Sequence, residues 1–144
     1  MNKKLTIVIS FCFLSYSGVL FADNDLVSSQ LENVMKTHVI ATSKESESID
    51  DVMKTIHPES PAAMHIKTGL EQIFPVFDLN VSLVEFSFVG LDNNYAMARV
   101  KQKMEKVSGP ASFKSHVNEQ LLVFKQEARE WKIWQAVMLD VEYL

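Results

Sequence analysis

The C-terminal half of the chain alternates apolar and polar side chains in four long runs, residues 81–89, 95–107, 115–126 and 131–143. Alternation by twos is the signature of strands. The connectors are short and rich in turn formers: Asp92-Asn93-Asn94, Ser108-Gly109-Pro110 and residues 127–130. A parallel crossover needs about a dozen residues or more, so strands this close together must run as an antiparallel meander. Such a sheet is stable only if its apolar face is covered, and only the segment before it is there to cover it.

That segment reads as three helices. In residues 23–42, Leu26, Val27, Leu31, Val34, Met35, His38 and Val39 recur at spacings of three and four and form one apolar stripe, with Asp23, Asn24 and Asp25 as expected caps. A polar loop follows, then a short helix over residues 49–56, capped by Ser48 and ended by Pro58. The pair Ser60-Pro61 is expected to start a third helix reaching about residue 77, with Gly69 close-packed in its middle. The fold class is thus α+β: N-terminal helices packed on a curved four-stranded antiparallel sheet.

Residues 1–22 are of another kind. Lys3 and Lys4 precede a run of Leu5, Ile7, Val8, Ile9, Phe11, Cys12, Phe13 and Leu14, and Ala22 precedes Asp23. This is the pattern of a cleaved signal peptide, with residues 23–144 as one domain, and it predicts a periplasmic or secreted protein. The alternative is an uncleaved membrane anchor, for which the apolar run is short and is interrupted by Ser15, Ser17 and Gly18; after cleavage no stable membrane insertion is expected. The sole cysteine, Cys12, falls inside that leader, which leaves the domain without thiol chemistry. Acidic residues outnumber basic ones, 18 to 14, and loss of Lys3 and Lys4 would widen the gap. That balance argues against nucleic acid as a partner.

Three stretches carry a family likeness: Ile56-His57-Pro58-Glu59-Ser60-Pro61 at the helix break, Ala98-Arg99-Val100-Lys101-Gln102 followed by Lys106-Val107-Ser108-Gly109-Pro110, and the closing hairpin Leu122-Val123-Phe124-Lys125 to Trp131-Lys132-Ile133-Trp134. In this order they resemble the nuclear transport factor 2-like superfamily, in its SnoaL-like bacterial branch. The resemblance implies a cone-shaped, cystatin-like fold whose sheet wraps the helices around an apolar pocket. It also implies a homodimer formed through the outer sheet face. Steroid-isomerase members pair an acidic base with a pocket tyrosine. Here Tyr16 lies in the leader, Tyr95 beside a turn and Tyr143 near the end of the chain, so that pair is not reproduced.

The polar residues expected to line the pocket are His57, His65, Gln102, His116, Asn118 and Gln120. They suit the orientation of a small, largely apolar ligand, or, in an isomerase- or dehydratase-type enzyme, a histidine acting as general base. Ordinary helix-end and strand-edge roles account for the same residues, and no catalytic constellation stands out. His57 and His65 have no metal-ligand spacing, no glycine-rich phosphate loop occurs, and neither metal nor cofactor is expected. The last strand is apolar on both sides, and Ile133, Val137 and Leu139 are the expected dimer face. A binding or interaction domain is the first reading. A small enzyme and an accessory domain of an envelope assembly are the alternatives.

Overall fold

The computed structural model describes residues 17–43 and 48–144. Three helices, α1 (Ser17–Thr42), α2 (Ile49–Thr55) and α3 (Ala63–Ile73), precede four strands, β1 (Asp78–Asp92), β2 (Tyr95–Ser108), β3 (His116–Glu127) and β4 (Glu130–Tyr143). The strands pair in chain order, each antiparallel to the next, as the short connectors require. Of the expected signal segment, residues 1–16 lie outside the described residues, as do residues 44–47 of the polar loop. Among the described residues helix α1 already runs from Ser17, upstream of the expected start at Asp23. No proline interrupts the run, so the Asp23-Asn24-Asp25 cluster sits within the helix instead of capping it.

One core forms where α1 lies across the sheet. Leu31, Met35 and Val39 of α1 meet Leu79 and Val81 of β1, Ala96, Ala98 and Val100 of β2, Leu122 and Phe124 of β3, and Trp131 and Ile133 of β4. The three alanine and valine positions of β2 alternate with exposed Tyr95, Met97 and Arg99, as period two demands. Small residues there let the helix approach the sheet closely. Ser43, just past α1, closes the free edge of β1: its hydroxyl accepts from the Val81 N–H (3.0 Å) and lies 2.9 Å from the Val39 carbonyl.

The expected alternation fails in β1 and β4, and for one reason. A bulge puts two residues of one strand opposite one of its partner, which reverses every side chain beyond it. In β4, Ile133 pairs with Phe124 but Gln135 pairs with Val123, leaving Trp134 as the extra residue. Trp131 and Ile133 therefore face the core, and Ile133 is 5% exposed. Ile133 is not a dimer-face residue. Val137, opposite Leu121, faces outward and is 47% exposed, and Leu139 is the extra residue of a second bulge. In β1 the extra residue is Val84, so Val81, Leu83, Phe86 and Phe88 pack inward together rather than on opposite faces.

The helix break also differs from expectation. Ser48 caps α2 as expected, accepting from the Asp51 N–H at 3.2 Å. Ser60 does not cap α3. Its hydroxyl donates to the Trp134 carbonyl (2.6 Å) and accepts from the Ala62 N–H, while Ile56 bridges Ile133 in parallel. The α2–α3 connection thus covers the first half of the β4 edge, and α3 starts at Ala63. Gly69 has no atom within 4 Å of the position a Cβ would take, so close packing does not explain it.

Candidate functional site

Between the helices and the inner sheet face lies a cavity of about 180 Å³. Every layer contributes to its wall. Met35 and His38 come from successive turns of α1, Ile56 from the end of α2 and Ile66 from α3. Gln102, Gln120, Leu122, Ile133 and Ala136 come from β2, β3 and β4. Two larger depressions, between α1 and β1 and beside Trp131, are grooves on the outside of the molecule.

The polar groups of the cavity fall into two sets. On the sheet, Gln102 is 7% exposed and its carboxamide has no hydrogen-bond partner among the described residues. Its cross-strand neighbour Asn118 is buried and accepts from the Gln120 side-chain N–H at 3.0 Å. Asn118 also donates to the Met104 sulfur, at 3.6 Å. Asn118 therefore orients Gln120, whose carbonyl oxygen is left open. On the helix side, His38 Nδ1 lies 2.8 Å from the Thr55 hydroxyl. The single proton of that hydroxyl is committed to the Val52 carbonyl at 2.6 Å. Thr55 must then accept, which puts the imidazole proton on Nδ1 and leaves Nε2 with a free lone pair. Withdrawal from water lowers the His38 pKa from 6.5 to about 4, so the ring is neutral near pH 7.

Of the expected pocket residues, Gln102 and Gln120 line the cavity, Asn118 lies beside them, and the three histidines sit elsewhere. His57 is fully buried but serves the helix break. Its Nδ1 accepts from the Glu59 backbone N–H (3.2 Å), its backbone N–H donates to the Ile133 carbonyl (2.8 Å), and its ring stands edge-on to Trp134. Its Nε2 lies 3.2 Å from a Glu127 carboxylate oxygen, but at an angle too poor for a hydrogen bond. His65 is exposed on α3. His116 sits in an aromatic row between Phe113 and Tyr143 and donates from Nδ1 to the Lys114 carbonyl. The histidine that does line the cavity, His38, belongs by its spacing to the apolar stripe of α1. The signal that marked it was its polarity, since every other member of that stripe is a hydrocarbon or thioether. Among the described residues, no group of three potential metal ligands occurs, and no helix is long and apolar enough to cross a membrane.

Residues 32–144 match the family model of the anti-sigma-I factor RsgI9, C-terminal domain. No curated protein is similar enough to count as a relative. Among solved structures, a candidate aromatic ring hydroxylase from Novosphingobium aromaticivorans superposes with a TM-score of 0.65 at 13% identity, over 85% of this chain and 94% of its own. A candidate scytalone dehydratase from the same organism gives 0.62 at 12%, over 83% and 89%. A nuclear transport factor 2-like protein of unknown function from Shewanella oneidensis gives 0.58 at 12%, over 79% and 99%. The fold is that of the nuclear transport factor 2-like proteins, and at these identities the likeness extends to the fold alone.

Proposed function

We propose, from the premise that this chain belongs to the family of the anti-sigma-I factor RsgI9 C-terminal domain, that it binds a small molecule in the cavity between its helices and its sheet. The observation that carries this reading is Gln102. Its carboxamide lines the cavity and makes no hydrogen bond to a described residue, so it is a polar group free to orient a ligand within an otherwise largely apolar wall. The family's name belongs to a regulator, and a binding domain is a part through which a regulator can register a small molecule. Titration calorimetry with a panel of ring-sized molecules tests it. Saturable binding that Ala136→Trp abolishes by filling the cavity supports the reading, and no binding by any member of the panel refutes it.

A second reading, an isomerase- or dehydratase-type enzyme, is favoured by the open Nε2 of His38. Acid–base catalysis generally needs a second ionisable group within reach, and among the described residues no other ionisable one lines the cavity. Binding is therefore the better-supported reading.

Export and self-association belong to the same proposal. The basic and then apolar composition of residues 1–22 supports cleavage after Ala22 and a periplasmic or secreted location. N-terminal sequencing of the protein from the envelope fraction tests it, and a first residue of Met1 there would overturn it. Homodimerisation is supported by the outer sheet face, where Met97, Leu121, Val123 and Val137 form a patch. Ion pairs of both signs border it, Arg99–Glu119 at 3.3 Å and Lys101–Glu85 at 3.4 Å. A patch carrying both signs can complement itself across a two-fold axis. Light scattering should give twice the chain mass, and Val137→Glu should halve it. A monomer at micromolar concentration refutes the dimer.

A further inference from the structure

The wall of the cavity specifies the chemistry of what it holds. Among the described residues no charged side chain lines it, and His38 is neutral there, so an ionic ligand would lose its hydration without gaining a partner. Its volume of about 180 Å³ is close to that of an engineered apolar cavity of roughly 150 Å³ that holds benzene, which sets the ligand at one ring. Met35, Ile56, Ile66, Leu122, Ile133 and Ala136 supply apolar contact for such a ring. The polar groups then divide by sign. His38 Nε2 can only accept, because Thr55 holds the ring proton on the other nitrogen. The Gln120 carbonyl oxygen also accepts, since its N–H is turned to Asn118. Gln102 offers two N–H donors, and Gln120 keeps the second hydrogen of its amide.

We propose that the cavity takes a neutral, single-ring molecule bearing a hydroxyl group, held through donation of that O–H to His38 Nε2 and through a hydrogen bond from the Gln102 carboxamide to a ligand oxygen. This rests on the reading of the cavity as a ligand site and adds the chemical class. A purely apolar ring would offer Gln102 and His38 Nε2 no hydrogen-bond partner. A carboxylate would set its charge against the His38 lone pair and the Gln120 carbonyl. Thr55 acts on the ligand through His38: it touches no ligand atom but fixes which nitrogen faces it.

Phenol and toluene are the probes, alike in size and neutral near pH 7, and differing in the hydroxyl. In the wild-type chain labelled with ¹⁵N-histidine, phenol should saturate and shift the His38 Nε2 resonance, while toluene should leave that resonance in place. The phenol dissociation constant should rise about fivefold in His38→Leu and in Gln102→Leu, the size of one neutral hydrogen bond. That for toluene should not rise in either variant. Circular dichroism of both variants checks that they fold, and the wild-type resonance decides the question without them. If phenol and toluene both saturate but His38 Nε2 does not move, the cavity binds ligands and the assignment of the hydroxyl is overturned. If neither saturates, the ligand reading itself fails, and this inference with it.

Discussion

His38 makes the stability of this fold depend on pH in a way that can be worked out in advance. The imidazole ionises at about 6.5 in the unfolded chain and at about 4 in the folded one, because burial penalises its charged form. Between those values the unfolded state binds the proton and the folded state does not. Stability attached to this group is therefore complete above about pH 6.5, falls as pH decreases through the window, and is gone below about pH 4. A gap of about 2.5 pH units at about 1.36 kcal/mol per unit corresponds to about 3 kcal/mol. That is a large share of the 5–15 kcal/mol or so that holds a typical domain together. The perturbation is His38→Gln, whose amide N–H can still donate to the Thr55 hydroxyl and which cannot titrate. Urea unfolding, followed by the fluorescence of Trp131 and Trp134, is measured for both chains from about pH 7 down to pH 4. Other groups titrate in both chains and cancel in the difference. The wild type should lose about 3 kcal/mol more than the variant across that range. Parallel pH profiles would refute the argument, because they would mean that His38 is as well solvated in the fold as out of it.

Other substitutions test the remaining structure. Ser43→Ala should cost about 1–3 kcal/mol in chemical unfolding, because the Val81 N–H at the sheet edge loses its acceptor; an unchanged midpoint would mean that water replaces the hydroxyl. The glycines should respond with opposite signs. Gly109 has φ +116° and a Cβ there would lie 2.7 Å from the Val76 carbonyl oxygen, so Gly109→Ala should lower stability by about 1–3 kcal/mol. Gly69→Ala adds a methyl to open space within α3 and should raise stability by up to about 1 kcal/mol, read as a higher melting temperature. Ile133→Ala should cost about 2–5 kcal/mol. Val137→Ala, outside the core, should cost about 0.5 kcal/mol or less in the monomer. Equal losses for that pair would place the two side chains on one face and contradict the bulge at Trp134.

The pattern of β2 and β3 was legible because neither strand carries a bulge where the two pair: Ala96, Ala98, Val100 and Gln102 alternate without a slip, and Leu122 and Phe124 follow suit. The polar positions on the same face were legible for the same reason. Gln102, Asn118 and Gln120 are polar residues at positions whose parity is apolar elsewhere on those strands. Ile133 and Val137 share parity in the sequence and nonetheless lie on opposite faces, since no residue type in that stretch announces a bulge. The surroundings of the histidines are least legible in the sequence. His57 sits beside a proline in a motif that resembles a pocket rim, yet the Ile56–Ile133 bridge draws it to the edge of β4. His38 is spaced as a core residue and does face inward, but whether an inward histidine meets hydrocarbon or an open cavity depends on which strands lie opposite.

Local chemistry determined the architecture. Alternation by twos, short turns and an amphipathic helix upstream allow one layered arrangement, because each element must cover the apolar face of another and the connectors are too short for a different order. The tertiary structure alone decided the site. The tautomer of His38 depends on Thr55, which lies on another helix, and the open hydrogen bonds of Gln102 depend on the gap left between sheet and helices. Both are properties of distances between residues far apart in the chain, and no spacing along one segment records them.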